Sequence, residues 1–247
     1  MKVRIDKLLV ERQLVPSRER AQALILAGRV LVNEQKISKS GASFDPNASI
    51  RLLGEDLRYV GRGGVKLERA LENWKIDLHG KACADIGAST GGFTDCMLQH
   101  GAVSVLAVDT GYGQIDARLR SDPRVQLLER TNARYLTAKD VPGAVQFVAM
   151  DVSFISATLV LPAVISSLVR GRAELVVLVK PQFEVGRGAI GKGGIVRDEA
   201  AQSSAAEKVK AAVTGLGGQH LEVIESPILG AEGNREFLLH AVFEGPQ

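Results

Sequence analysis

Groups able to do chemistry gather first in one glycine-rich stretch, Asp85-Ile86-Gly87-Ala88-Ser89-Thr90-Gly91-Gly92-Phe93. It closes a run at 82–86 that reads as a strand. In an open α/β sheet a ligand sits at the carboxyl ends of the strands, where the first strand–helix turn presents backbone N–H groups. Glycines there let the chain turn sharply and let a ligand approach the backbone. The spacing is not G-x-G-x-x-G, and no glycine stands where a pyrophosphate would press. It suits a smaller ligand with an amino-acid end and a nucleoside end. The next strand ends at Asp109, roughly twenty residues on, where a carboxylate accepts from two ribose hydroxyls. Asn132-Ala133, after the third strand, would border an adenine. A tight structural turn with no ligand is the competing reading.

Four more polar residues stand at informative places. Asp151 closes the fourth strand and Lys180 the fifth, so both point into one crevice. Lys66 opens a helix just past Gly61-Arg62-Gly63-Gly64, and Glu236 opens the last strand. Together they make either a structural ion-pair network or a proton-transfer site. In the second reading, crowding by one lysine favours proton loss from the other, which then accepts a proton from a hydroxyl. The carboxylates would orient the pair and balance its charge. Gly186-Arg187-Gly188-Ala189-Ile190-Gly191-Lys192 matches G-x-G-x-x-G and most of a P-loop, but Gly193 stands where Mg²⁺ needs Ser or Thr. Residues 184–196 therefore read as a flexible basic loop over the site. His79, His100, His220 and His240 show no ligand spacing, so no metal site is expected.

These residues need a scaffold, and the pattern from residue 82 onward supplies one. Strands are expected at 82–86, 103–108, 125–128, 145–150 and 175–179, with helices at 91–100, 115–120 and 156–168. That alternation argues for a parallel sheet covered on both faces. A long helix at 199–216 then precedes runs at 221–224 and 236–243, close enough to pair and to place one antiparallel strand on the sheet. Ahead of residue 58 the pattern differs. Ile5, Leu8, Leu9 and Arg12 follow helical spacing, and Ser17 caps a second helix over 18–27 with Gly28 behind it. Short strands at 30–32 and 50–52 flank turns at 33–36 and 45–47. Fewer than sixty residues make a marginal core, so this is a small appended α+β domain at 1–57, joined by a linker at 58–64 to a body at 65–247.

Composition narrows the classes. The 247 residues are 45% hydrophobic and 24% charged, which excludes long disorder and collagen. Cys83 and Cys96 are too few for a disulfide scaffold and read as small core hydrophobes of a reducing compartment. No targeting segment is expected, since Arg4, Asp6 and Lys7 interrupt the N-terminus. The uncharged window 152–169 just reaches the span threshold but holds Ser153, Ser156, Thr158, Pro162, Ser166 and Ser167. It reads as a strand end and a buried helix. The net charge of +3 is unevenly spread: residues 1–66 hold 13 Lys+Arg against 7 Asp+Glu, the remainder 18 against 21. A basic front end on a mildly acidic body fits a polyanion-binding module joined to something else, or simply a solvated charged surface. At 4%, aromatics are too scarce for a broad stacking platform.

Asp85–Phe93 with Asp109 resembles the S-adenosylmethionine site of class I methyltransferases. Lys66, Asp151, Lys180 and Glu236 are similar to the K-D-K-E tetrad of FtsJ-type ribose 2′-O-methyltransferases. Arg4-Ile5-Asp6-Lys7-Leu8-Leu9, Ser17-Arg18-Glu19-Arg20-Ala21 and Gly28-Arg29-Val30-Leu31-Val32-Asn33 resemble an RNA-binding domain of ribosomal small-subunit proteins. With Asp151-Val152-Ser153-Phe154-Ile155-Ser156, the whole resembles the TlyA family, often labelled hemolysin A. The resemblance implies a Rossmann-like α/β fold with a mostly parallel seven-stranded sheet. It implies a cytoplasmic S-adenosylmethionine-dependent enzyme methylating cytidine 2′-hydroxyls of ribosomal RNA. The cofactor would lie against Asp85, Gly87, Ala88, Ser89, Gly91, Gly92, Phe93, Asp109, Asn132 and Ala133. Lys180 would remove the hydroxyl proton, with Lys66, Asp151 and Glu236 tuning and placing it in an in-line displacement. Arg4, Lys7, Arg18, Arg20, Arg29, Lys36 and Arg62 would hold RNA phosphates, positioning ribosomal subunits without reading sequence. A membrane-damaging protein, as the label says, and a non-catalytic ribosome-assembly factor are the alternatives.

Overall fold

The protein is described here by a computed structural model covering residues 2–15, 17–26, 28–53, 58–141, 143–230 and 232–245. Pro16, Ala27 and residues 54–57, the last of the expected first domain, lie outside the described residues. The chain divides into two compact units, 1–57 and 58–247.

In the first unit β1 (Val3–Arg4) leads into α1 (Ile5–Glu11), and α2 spans Arg18–Leu26. Ile5, Leu8 and Leu9 on α1 and Ala21, Leu24 and Ile25 on α2 are buried at the 3–4 residue spacing that makes one apolar stripe. Ser17 Oγ accepts from Arg20 N at 3.2 Å, capping α2 as expected. Strands β2 (Val30–Val32) and β3 (Gln35–Lys36) form a hairpin around Asn33 and Glu34, both at positive φ, the twist that a tight two-residue hairpin demands. β4 (Ser43–Phe44) pairs with β1, and β5 (Ile50–Leu52) with β2. Ile5, Leu9, Ile25, Val30 and Val32 anchor the core between them.

The second unit opens with Tyr59, 1% exposed, and Val60, whose N–H donates to Asp95 Oδ2 at 2.8 Å. The expected linker at 58–64 is thus packed onto this unit, and helix α3 (Gly63–Trp74) already begins inside it. A seven-stranded sheet follows, in the order β11-β12-β10-β9-β6-β7-β8. Its strands are β6 (Ala82–Ile86), β7 (Ser104–Val108), β8 (Val125–Leu128), β9 (Phe147–Met150), β10 (Ala173–Val179), β11 (Gln219–Glu225) and β12 (Phe237–Phe243). Only β12 runs against the rest, inserted between β10 and β11. Helices α4 (Gly92–Gln99), α5 (Ala117–Arg120), α6 (Ala157–Leu168), α7 (Pro181–Glu184) and α8 (Glu199–Gly215) complete the unit. Apolar residues on both sheet faces are buried, with Ile86, Met150 and Val177 in one cluster and Cys83, Phe147 and Val176 in the other. This is the Rossmann-like α/β architecture expected.

Window 152–169 ends in α6, and no helix of the described residues is long and apolar enough to cross a membrane. Cys83 and Cys96 are buried and unpaired, and burial pushes both thiols up to about 12, so they act as core hydrophobes. The segment expected as a flexible loop is held at its end. Asn234 accepts from Val196 N at 2.9 Å and donates to Gly194 O at 3.0 Å. Gly188 lies in one short 3-10 turn, Arg187–Ala189, and Gly193 and Gly194 in another, Lys192–Gly194, instead of a strand-to-helix phosphate loop.

Candidate active site

The turn after β6 is shaped by backbone that only glycine tolerates. Gly87 has φ +89°, and a Cβ there would stand 2.3 Å from the Asp151 carbonyl oxygen. Gly91 has φ +94°, with a virtual Cβ 2.3 Å from Leu119 Cδ1. Asp109, just past β7, draws the turn toward itself: its Oδ2 accepts from Ser89 N at 2.7 Å and its Oδ1 from Gly111 N at 2.6 Å. A cleft of about 310 Å³ opens here, with Gly87, Ser89, Asp109, Asn132, Ala133 and Asp151 among its walls. A smaller hollow of about 120 Å³, reached by Ala88, Gly92 and Phe93, shares Gly87, Ser89 and Asp151 with it.

Two residues expected to touch a ligand line neither space. Gly91 supplies only the left-handed turn. Asp85 is wholly buried, its Oδ2 accepting from Thr94 N at 2.8 Å and Thr94 Oγ1 at 2.6 Å. It holds the first turn of α4 from beneath, because strand alternation sends Asp85 to the face of the sheet that α4 covers. Its Oδ1 has no partner. Burial, opposed by the Thr94 bonds and aided by Asp151 and Asp109, pushes the carboxyl up to about 7. The folded protein then binds a proton that the unfolded chain has lost, so stability falls between about pH 4 and pH 7 and levels off above. Asp85→Asn removes that dependence. Urea melts of the variant at pH 8 should show a gain of about 2–4 kcal/mol over the parent, shrinking to none near pH 4.

Four ionisable residues meet at the carboxyl ends of the central strands. Lys66, in the first turns of α3, forms an ion pair with Glu236, immediately before β12; the two are 8% and 3% exposed. Lys180, immediately after β10, holds Nζ 2.5 Å from Asp151 Oδ1 and donates to Ser153 Oγ at 2.7 Å. Because β9, β10 and β12 are neighbours, Asp151, Lys180 and Glu236 emerge from adjacent strand ends. Each lysine has its own carboxylate.

Sequence reasoning left out two features beside this cluster. Phe154 is 90% exposed and held at φ +64°, a conformation costly for a bulky residue. Its ring lies 5.4 Å from that of Phe183. Ser153 is the other, since nothing in its sequence position announced a bond to Lys180.

On the first unit, Asp6 organises the basic face. Wholly buried, it accepts from Arg4 at 2.8 Å, Arg18 at 2.9 Å and Gln22 at 3.2 Å. The Arg4 guanidinium above all holds its carboxyl well below the usual carboxylate range. Arg4 and Arg18 stay about half exposed, and Lys7 is exposed beside them. Lys36 is exposed and its stem covers Gly28, while Arg20 is half-buried. Arg29 is half-buried and donates to Leu53 O at 2.8 Å, so it also ties the fold. Arg62 is exposed and belongs to the second unit.

Residues 59–243 match the family model described as FtsJ-like methyltransferase, and residues 3–50 that of the S4 domain. The 16S/23S rRNA (cytidine-2′-O)-methyltransferase TlyA of Mycobacterium tuberculosis is 43% identical over 96% of this chain and 89% of its own. Hemolysin A of Brachyspira hyodysenteriae is 37% identical over 97% of this chain and 100% of its own. A solved structure, named as a hemolysin from Streptococcus thermophilus, superposes with a TM-score of 0.76 at 44% identity, covering 100% of this chain and 90% of that one. With an S4 domain, an FtsJ-like methyltransferase domain and relatives alike over nearly its full length, the chain belongs to the TlyA family.

Proposed function

We propose that the protein methylates the ribose 2′-hydroxyl of cytidine in ribosomal RNA of one or both subunits, with S-adenosylmethionine as donor, in the cytoplasm. The observation that carries this reading is the pairing of Lys180 with Asp151, which lines the cleft, and of Lys66 with Glu236 at the adjacent strand end. The residues present fit the cofactor. The cleft volume falls at the lower end of small-ligand sites. Gly87 and Ser89 line both the cleft and the adjoining hollow, and each Asp109 oxygen keeps acceptor capacity beyond its one backbone bond. Asp109 would hold ribose hydroxyls, Asn132 and Ala133 the adenine, and Gly87 to Ser89 the amino-acid end. S-adenosylmethionine bound there supplies an electrophilic sulfonium methyl group.

The chain's own residues do the rest. Lys180, in its neutral form, accepts the 2′-hydroxyl proton at Nζ. Asp151, 2.5 Å away, stabilises the ammonium so formed, and Ser153 fixes the direction of Nζ. The Lys66–Glu236 pair holds α3 against β12 and keeps the charge of the buried cluster balanced. Arg4, Lys7 and Arg18 supply phosphate contacts that position the RNA. Phe154 offers its exposed face to a nucleobase, since an aromatic ring held in a strained conformation at the cleft mouth gains nothing from the core. Phe154→Ala should therefore leave the melting temperature unchanged or raised while RNA binding weakens by roughly 1–3 kcal/mol in a filter-binding titration. Unchanged RNA affinity would remove Phe154 from the site.

Labelled methyl transfer to purified ribosomal subunits tests the whole reading. Transfer is expected with the parent protein and lost in Lys66→Ala and Lys180→Ala; equal labelling by those variants would reject the tetrad.

A further inference from the structure

We propose that Glu184 is a positioning residue for the methyl-transfer site, a buried link that fixes the segment carrying Lys180 to the segment carrying Asp151, Ser153 and Phe154. The inference rests on the function proposed above and deepens it.

Glu184 ends α7, four residues after Lys180, and is 6% exposed. Its carboxylate reaches the segment after β9: Oε2 accepts from Ser156 Oγ at 2.5 Å and Oε1 from Ala157 N at 2.6 Å. Lys208 of α8 completes the set, with Nζ 3.2 Å from Oε2 and a bond of 2.8 Å to the Glu184 carbonyl. The two segments joined in this way are 151–156 and 180–184. They carry the other contacts of the site as well, Lys180 to Asp151, Lys180 to Ser153, and Phe154 to Phe183. Those contacts lie at the cleft, where Ser153 and Phe154 are exposed. Contacts made by exposed Ser153 and Phe154 hold geometry weakly, and the Lys180–Asp151 pair, at 11% and 22% exposure, joins the two functional side chains without fixing the backbone of either segment. The Glu184 carboxylate itself is buried and its bonds are charge-assisted, that to Ala157 N wholly buried, which makes them the stiff part of the connection.

A plain helix cap does not account for this arrangement. α6 begins after Ser156, a residue type that caps a helix by itself, and Ser156 Oγ does accept from Thr158 N at 3.3 Å. Burying a carboxylate as well is costly unless its charge is matched, and the chain spends Lys208 on matching it. A local cap needs neither residue. A link between two strand ends needs both.

The test separates link from cap. Asp is a strong N-cap, so Ser156→Asp in a Glu184→Ala background restores the end of α6 from its own residue but leaves the two segments unjoined. Glu184→Ala is expected to lower both the melting temperature and kcat, the latter by up to about 100-fold, as misplacement of a reacting group by an ångström does. KM for RNA and the S-adenosylmethionine dissociation constant should move far less than kcat, since the Gly87–Ser89 turn, Asp109 and the basic residues of the first unit are untouched. In the double variant the melting temperature returns and kcat stays low. Glu184→Gln, which keeps the volume and one acceptor, should fold in any case and fall between parent and alanine variant in kcat.

A second readout needs no turnover. Competitive acetylation with acetic anhydride, read by mass spectrometry, should label Lys180 faster relative to Lys66 in the Glu184 variants than in the parent. Recovery of kcat along with stability in the double variant, or parental Lys180 labelling in the Glu184 variants, would overturn the proposal. Absence of ribose methylation by the parent protein would instead reject the proposed function, and the labelling ratio would still decide whether Glu184 fixes Lys180.

Discussion

Lys180→Arg is expected to lower methyl transfer by about 10²–10⁴-fold, the usual contribution of a positioned proton acceptor. Arginine keeps the positive charge and the reach to Asp151 and Ser153, which lie 2.5 and 2.7 Å from Nζ in the parent. It also keeps five donors, but it does not give up its proton in a protein. The substitution therefore preserves the ion pair and removes the chemistry. S-adenosylmethionine binding, measured by calorimetry, should be unchanged, because Lys180 lines neither the cleft nor the adjoining hollow. The melting temperature should move little. A Lys180→Arg protein that turns over at the parental rate would show that the lysine serves only as a charge.

Lys66 and Glu236 predict the largest change in stability. Both are buried, and neither has another ionic partner among the described residues. Lys66→Met leaves Glu236 charged and unmatched at 3% exposure. Removing one member of such a pair costs about 3–5 kcal/mol, and a loss of that size lowers the melting temperature of a unit this large by roughly 10 °C. Adding Glu236→Leu removes the stranded charge and fills its space with hydrocarbon, so most of the stability should return. Methyl transfer should not return. Differential scanning calorimetry beside a methyl-transfer assay reads both outcomes. Full activity in the stabilised double variant would make the pair a fold element alone.

Much of this site was legible before the structure because the sheet is parallel and its strands are short and apolar. A carboxylate at position 151 and a lysine at 180 each follow a buried run, so the strand ends could be placed from hydrophobic pattern alone. Partner choice was not legible. Lys66 pairs with Glu236 across 170 residues, a contact set by the insertion of β12 between β10 and β11. Asp85 sits where ligands bind in similar turns, yet it lies on the Cys83 side of β6 and reaches Thr94 instead. The two-residue strands β1 and β4 are too short for any period to show. Phe154 reads as one more apolar residue in an uncharged window, and only its positive φ turns it outward. Glu184 lies at the edge of a stretch that reads as a loop, and its role depends on a helix that starts 27 residues earlier.

Nucleoside analysis of the RNA product tests the central claim most directly. Ribosomal RNA, unmodified at the target, is incubated with the purified protein and S-adenosylmethionine, digested to nucleosides and separated by mass. The proposed chemistry yields 2′-O-methylcytidine with the parent protein and none with Lys180→Arg. Methyl groups on a base, or no methylated nucleoside from the parent protein on any ribosomal substrate, would contradict it.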